Sequence, residues 1–197
     1  DGSLWSGSYV TVGIFYETLS SSIFWKFFDH LSIGIARYTD IFYTFIFKLL
    51  SIFFIYFLTK LTNLDQNKKI IFFLTNSILF VSLLSYEVAD IGSISFREIP
   101  IILLSILFIF LILEKNSFLV IFFISVLTLI SMFWSIDRGL IYNILTIIIL
   151  VYLFFSKRYL HFFLLLSFII IIWTSFFLIS KNEFQYFFQN TYLIYKE

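Results

Sequence analysis

Cysteine is absent from the chain, which excludes disulfides, thiolate metal sites and a cysteine nucleophile. Proline occurs once and glycine six times, too few for a flexible linker or a separate loop-rich domain. Charge is also scarce. Asp, Glu, Lys and Arg make up 13% of the residues, where a soluble domain carries about a quarter. A formal net charge of +1 and the lack of any basic run leave nothing for a nucleic-acid partner to bind. What is present is hydrocarbon: 61% of the 197 residues are hydrophobic, and the polar side chains are too few to coat a water-soluble surface. The composition specifies an integral membrane protein. The excess of Ile and Phe over Ala reads as an AT-rich coding sequence and says nothing of function.

A bilayer core about 30 Å thick takes about 20 apolar residues of helix. Suitable runs fall at 41–60, 70–86, 99–113, 117–134, 140–155 and 160–179. They are continuously apolar rather than alternating, which is a helical pattern and not that of barrel strands. The expected fold is all-α, a polytopic transmembrane helix bundle of about six spans over residues 41–179. The third run is short, so it must thin the bilayer, borrow residues from 95–98 or line a cavity. Residues 1–40 space aromatics through polar residues, with Trp25, Phe27 and Phe28 around Lys26. They predict an outer-face loop with interfacial amphipathic helices. Residues 180–197 predict a second polar-aromatic outer segment. The chain opens at Asp1 without a charged and apolar leader and closes in "YLIYKE". These ends predict a piece of a longer polytopic protein, lacking a first transmembrane helix and a C-terminal portion.

Alternate gaps between the runs differ in charge. The gaps 60–69, 114–116 and 156–161 hold Lys60, Lys68, Lys69, Lys115, Lys157 and Arg158 against Asp65 and Glu114. The other segments hold ten acids and six bases. The positive-inside rule puts the first group in the cytoplasm and the second outside. The outer segments also carry the variety of side chains that chemistry needs.

Three outer stretches hold candidates. In "DGSLWSGS", Asp1 is a turn carboxylate not tied into a helix. It is either a general base at the membrane surface or an ordinary turn residue. In "YEVADIGSISFREIP", Pro100 and Glu98 are placed for the first turn of the next helix. Capping does not account for Arg97, a cation beside a positive helix end, whose fork makes it a phosphate-binding candidate. In "FWSIDRGLIYN", residues 133–143, the short link Ser135–Gly139 puts Asp137 and Arg138 at the hydrocarbon boundary. Asp137 there caps a helix beginning at 140 while Arg138 reaches to headgroups, or the two line a polar pocket continued by Tyr142 and Asn143. Lys48 lies mid-span and must face the bundle or a cavity. His30 and His161 fall on opposite sides, so they cannot share a metal. Asp29–His30 or Glu87–Asp90 could hold a divalent cation only with help from elsewhere. No metal or cofactor is expected. P-loop, Rossmann and Ser-His-Asp patterns are absent.

Taken together, these stretches resemble the GT-C type membrane glycosyltransferases, which include protein O-mannosyltransferases and bacterial lipid-linked sugar transferases. The resemblance rests on "DGSLWSGS" opening an outer loop, on "SFREIP" as an Arg-acid-Pro entry to a helix, and on a many-spanned bundle with outer polar loops. It implies transfer of a sugar from a polyprenyl-phosphate donor to an acceptor on the outer face, in a bacterial inner membrane. Asp1 would be the base, with Asp137 the second catalytic candidate. Arg97 and Arg138 would hold the donor phosphate, and Arg37, Glu98 and Tyr142 complete the substrate-binding set. The expected partners are the polyprenyl-phosphate sugar lipid and membrane lipids. An O-antigen ligase or polymerase type enzyme would also have outer arginines. A transporter would need charges through the bilayer, where only Lys48 lies. A non-catalytic membrane subunit would pair its outer charges with one another.

Overall fold

Residues 26–27, 33–83, 91–114, 117–180, 185–186 and 189 are described by a computed structural model. Among the described residues there are no strands and six helices: α1 (Ile33–Leu61), α2 (Gln66–Leu83), α3 (Ile91–Ile112), α4 (Ser117–Trp134), α5 (Ile136–Phe155) and α6 (Tyr159–Ser180). Among the described residues, four stretches, Ile41–Leu61, Ser117–Trp134, Ile136–Phe155 and Tyr159–Ser180, are long and apolar enough to cross a membrane. The first turn of α2 holds Gln66, Asn67, Lys68 and Lys69, and α3 carries Ser93, Ser95, Arg97 and Glu98 before its uniform apolar run begins.

The helices form two compact units, one of α1–α3 and one of α4–α6. In the first, α1 packs on both α2 and α3. Its buried stripe is Phe47, Ser51, Ile55 and Thr59, spaced by four so that one face meets its neighbour. The two hydroxyls donate to the carbonyls of Phe47 and Ile55, each at 2.7 Å, so no polar atom of the stripe is left bare in a nonaqueous setting. Phe57 meets Phe110 edge to face at 4.6 Å, near the C-terminal ends of α1 and α3, so these helices run parallel. Tyr56 meets Phe73 near the start of α2, so α2 runs back against α1. Lys48 is half-buried beside this stripe.

α3 begins at Ile91, so the helix extends before the short third run and beyond residues 95–98. Pro100 is therefore not in a first turn but inside the helix, and Glu98 is not at its N-terminal end. Proline cannot donate to the carbonyl four residues back, that of Phe96. The position is tolerated because Pro100 is fully buried, and membrane helices accept such breaks where neighbours cover them.

In the second unit, α4 packs on α5 and on α6. α4 spans 117–134 as its apolar run predicts. α5 starts at Ile136 rather than at 140, and the expected link of residues 135–139 shrinks to Ser135 alone. The reason is backbone satisfaction: Ser135 is extended (φ −160°, ψ 121°), its carbonyl accepts from Gly139 N at 2.7 Å, and its N–H still donates to Ser131 O at 3.1 Å. One residue closes α4 and opens α5. Gly139 makes this tight reversal possible, since a Cβ there would lie 2.6 Å from Met132 Cα and 2.7 Å from Ser131 O.

The turn from α5 to α6 is a Schellman motif. Lys157 N donates to Phe154 O and Arg158 N to Leu153 O, both at 3.0 Å, with Lys157 left-handed at φ 57°. Phe118 and Phe122 on α4 meet Phe168 on α6, and Phe133 meets Phe176, so α4 and α6 run parallel. α6 buries only Leu165, while Leu160, Phe163, Ile170, Ile171, Phe177, Leu178 and Ile179 are all more than half exposed. Seven such side chains on one helix make a surface for lipid, not water.

Candidate functional site

The α4/α5 turn holds the two predicted site residues that the structure brings together. Asp137 is the second residue of α5, where a carboxylate is favoured by the positive helix end, and it accepts from Ser135 Oγ. It does not cap a helix from 140. Arg138 follows at the third position, which is unfavourable for a cation alone. Its Nη1 lies 3.8 Å from Asp137 Oδ2, with side chains 31% and 34% exposed. That separation is an ion-pair contact beyond hydrogen-bond range, and at this exposure it contributes about 0–1 kcal/mol. The turn thus presents one partly exposed acid and one partly exposed base at the end of a membrane-length hairpin.

Beneath the turn runs a buried polar seam. Ser125, Thr128, Ser131 and Ser135 are all buried, and three of these hydroxyls bond to backbone within α4: Ser125 to Ile121 O, Thr128 to Ser125 O and Ser131 to Thr128 O. From α5, Tyr142 Oη donates to Ile124 O at 3.1 Å, and Asn143 Nδ2 donates to Thr128 O at 3.0 Å and Gly139 O at 2.8 Å. From α6, Trp173 Nε1 donates to Thr128 Oγ1 at 3.1 Å. Thr128 therefore joins all three helices. Interhelical bonds of this kind hold membrane helices together where hydrophobicity cannot distinguish protein from lipid. Tyr142 and Asn143 extend polarity inward from Arg138, but their bonds run to backbone carbonyls of α4 and of α5 itself. Charge does not reveal this seam; its signal in the sequence is the spacing of Ser125, Thr128, Ser131 and Ser135.

The remaining candidates lie on other elements. Arg97 and Glu98 are half-buried neighbours on α3, one turn before Pro100, in the other unit. Arg37 lies in the second turn of α1, which begins within the stretch expected to be loop. Asp1 lies outside the described residues. So do Asp29, His30, Glu87 and Asp90, most of the expected interfacial segment 1–40 and most of 180–197. Lys26 and Phe27 are helical and exposed. Among the described residues, no three His, Asp or Glu side chains gather as a metal site.

Fold and site together define a helical membrane protein with a charged turn at the end of a tight hairpin. The chain matches no protein-family model, no curated protein and no solved structure.

Proposed function

We propose that this protein is a multi-pass membrane glycosyltransferase of the GT-C type. It moves a sugar from a polyprenyl-phosphate donor to an acceptor on the outer face of a bacterial inner membrane. In this reading α2 and α3 also span, giving about six spans, and residues 1–40 line the outer face. The observation that carries it is the Asp137–Arg138 turn. A guanidinium beside the first turn of α5, at the boundary of a membrane-length helix, is where a lipid-linked phosphate would arrive and where its charge would need a fork of donors. Arg138 would stabilise the departing phosphate, and Asp137 would orient the guanidinium. Asp1 would serve as the base.

Charge segregation inside each unit supports the sidedness. Parallel α1 and α3 put Lys60, Lys68 and Lys69, with Asp65 and Glu114, at one end of the first unit. Parallel α4 and α6 put Lys157 and Arg158 at the end of the second unit opposite Asp137. The test is sugar transfer from a polyprenyl-phosphate donor in membranes containing the full-length protein. Arg138→Ala should lower kcat/KM by about 100-fold or more, the usual loss for a group that meets developing charge, with partial recovery in Arg138→Lys. Wild-type transfer by both Arg138→Ala and Asp137→Asn would defeat the reading.

One observation favours a second reading, a non-catalytic membrane subunit. Asp137 and Arg138 pair with each other, as such a subunit would have them do. Under it both substitutions leave any transfer unchanged and shift only stability.

A further inference from the structure

We propose that the α1/α2 turn binds the headgroup of an anionic phospholipid; this does not depend on the sugar-transfer reading. Only residues 62–65 separate the two helices, and Thr62 closes α1 with its N–H and hydroxyl both on Thr59 O. Lys60 on one side and Lys68 and Lys69 on the other set three positive charges against Asp65 within the turn and Glu114 at the same end of the unit. Asp65 accepts the first helical N–H of α2, from Lys69, at 2.9 Å, and its carboxylate stands 3.3 Å from Lys68 Nζ. Both side chains of that pair are mostly exposed, 81% and 68%, so water screens the pair and Lys68 exchanges partners readily. The turn keeps a net positive charge.

Its surroundings decide the kind of anion. The turn lies at the end of Ile41–Leu61, a stretch of membrane-crossing length. Lys60 Nζ stands 4.4 Å from the centre of the Tyr56 ring and 5.6 Å from that of Phe57. This arrangement holds an ammonium at the level of an aromatic belt. Leu64, Ile70 and Ile71 are exposed beside the lysines, an aliphatic flank that free phosphate could not cover. A partner with a negative headgroup and attached hydrocarbon fits both features, and lysines near such a headgroup each strengthen binding about fivefold.

The experiment is native mass spectrometry of the detergent-solubilised full chain, titrated with phosphatidylglycerol and with phosphatidylcholine. The first phosphatidylglycerol should bind several-fold more tightly than the first phosphatidylcholine. Lys60→Gln and Lys69→Gln should each weaken it about fivefold, and Asp65→Asn, which keeps every lysine, should tighten it. Lys157→Gln, at the other basic turn, should leave it unchanged, and excess inorganic phosphate should not displace it. The proposal is overturned by equal affinity for the two lipids, by displacement with phosphate, or by a preference that survives Lys60→Gln/Lys68→Gln/Lys69→Gln. Failure of Asp65→Asn to tighten binding also overturns it, and this variant retains the basic turn if the triple variant does not fold.

Discussion

At residue 139 the backbones of α4 and α5 approach so closely that an alanine Cβ would press on Met132 Cα, Met132 N and Ser131 O at 2.6–2.7 Å. All three are backbone atoms, so no side chain can swing away. Gly139→Ala should destabilise the protein by about 1–3 kcal/mol, the range for overpacking a close contact, read as a lower melting temperature in detergent. Lys157 presents the opposite case. Its left-handed φ of 57° costs a side chain about 1–2 kcal/mol, while glycine would add about 0.4–1 kcal/mol of unfolded-chain entropy. Lys157→Gly should therefore stabilise by about 0.5–1 kcal/mol, and Lys157→Ala should not. In the sequence Gly139 reads only as a residue in a short link. Its role depends on how α5 folds back on α4, which no local pattern states. Asp137 and Arg138 were legible as a boundary pair, because charges between two long apolar runs have few other places to go.

Single elements were legible to different degrees. α4 was bounded correctly because lipid-length apolar runs leave little choice, and because polar residues flank it on both sides. α5 was not, since "IDRG" looks like loop while its backbone is helical from Ile136. The first turn of a helix has unpaired N–H groups anyway, so polar residues cost little there. Pro100 misled for a related reason. Proline favours a first turn, but packing over it lets α3 run from Ile91 straight through. The seam between α4, α5 and α6 rests on Thr128, and it can be measured. Thr128→Val keeps the shape and removes the acceptor of Trp173 Nε1, so it should cost about 0.6–1.7 kcal/mol. A cycle with Trp173→Phe should show coupling of about that size. Additive effects would mean that the bond is not made.

For the whole molecule, composition pointed to a membrane protein, because a chain this apolar has no water-soluble alternative, and the continuously apolar runs pointed to helices. The span count and the convergence of candidate residues were less accessible, since both depend on how helices are arranged across the chain. The absence of native cysteine makes sidedness directly testable. Asn63→Cys and Ser156→Cys should be labelled from the same side of intact cells or vesicles, and Asp137→Cys from the other. Labelling of Asn63→Cys and Ser156→Cys from opposite sides would break the proposed alternation of six spans. The single-residue link at Ser135 has a consequence for biogenesis. With no slack between them, α4 and α5 cannot be laid into the bilayer one after the other with a loop left waiting. They must enter as one hairpin, whose leading tip carries Asp137 and Arg138 and no net charge. Such a tip offers the insertion machinery nothing to retain, so the direction in which the hairpin threads the membrane is left to the lysines at its base.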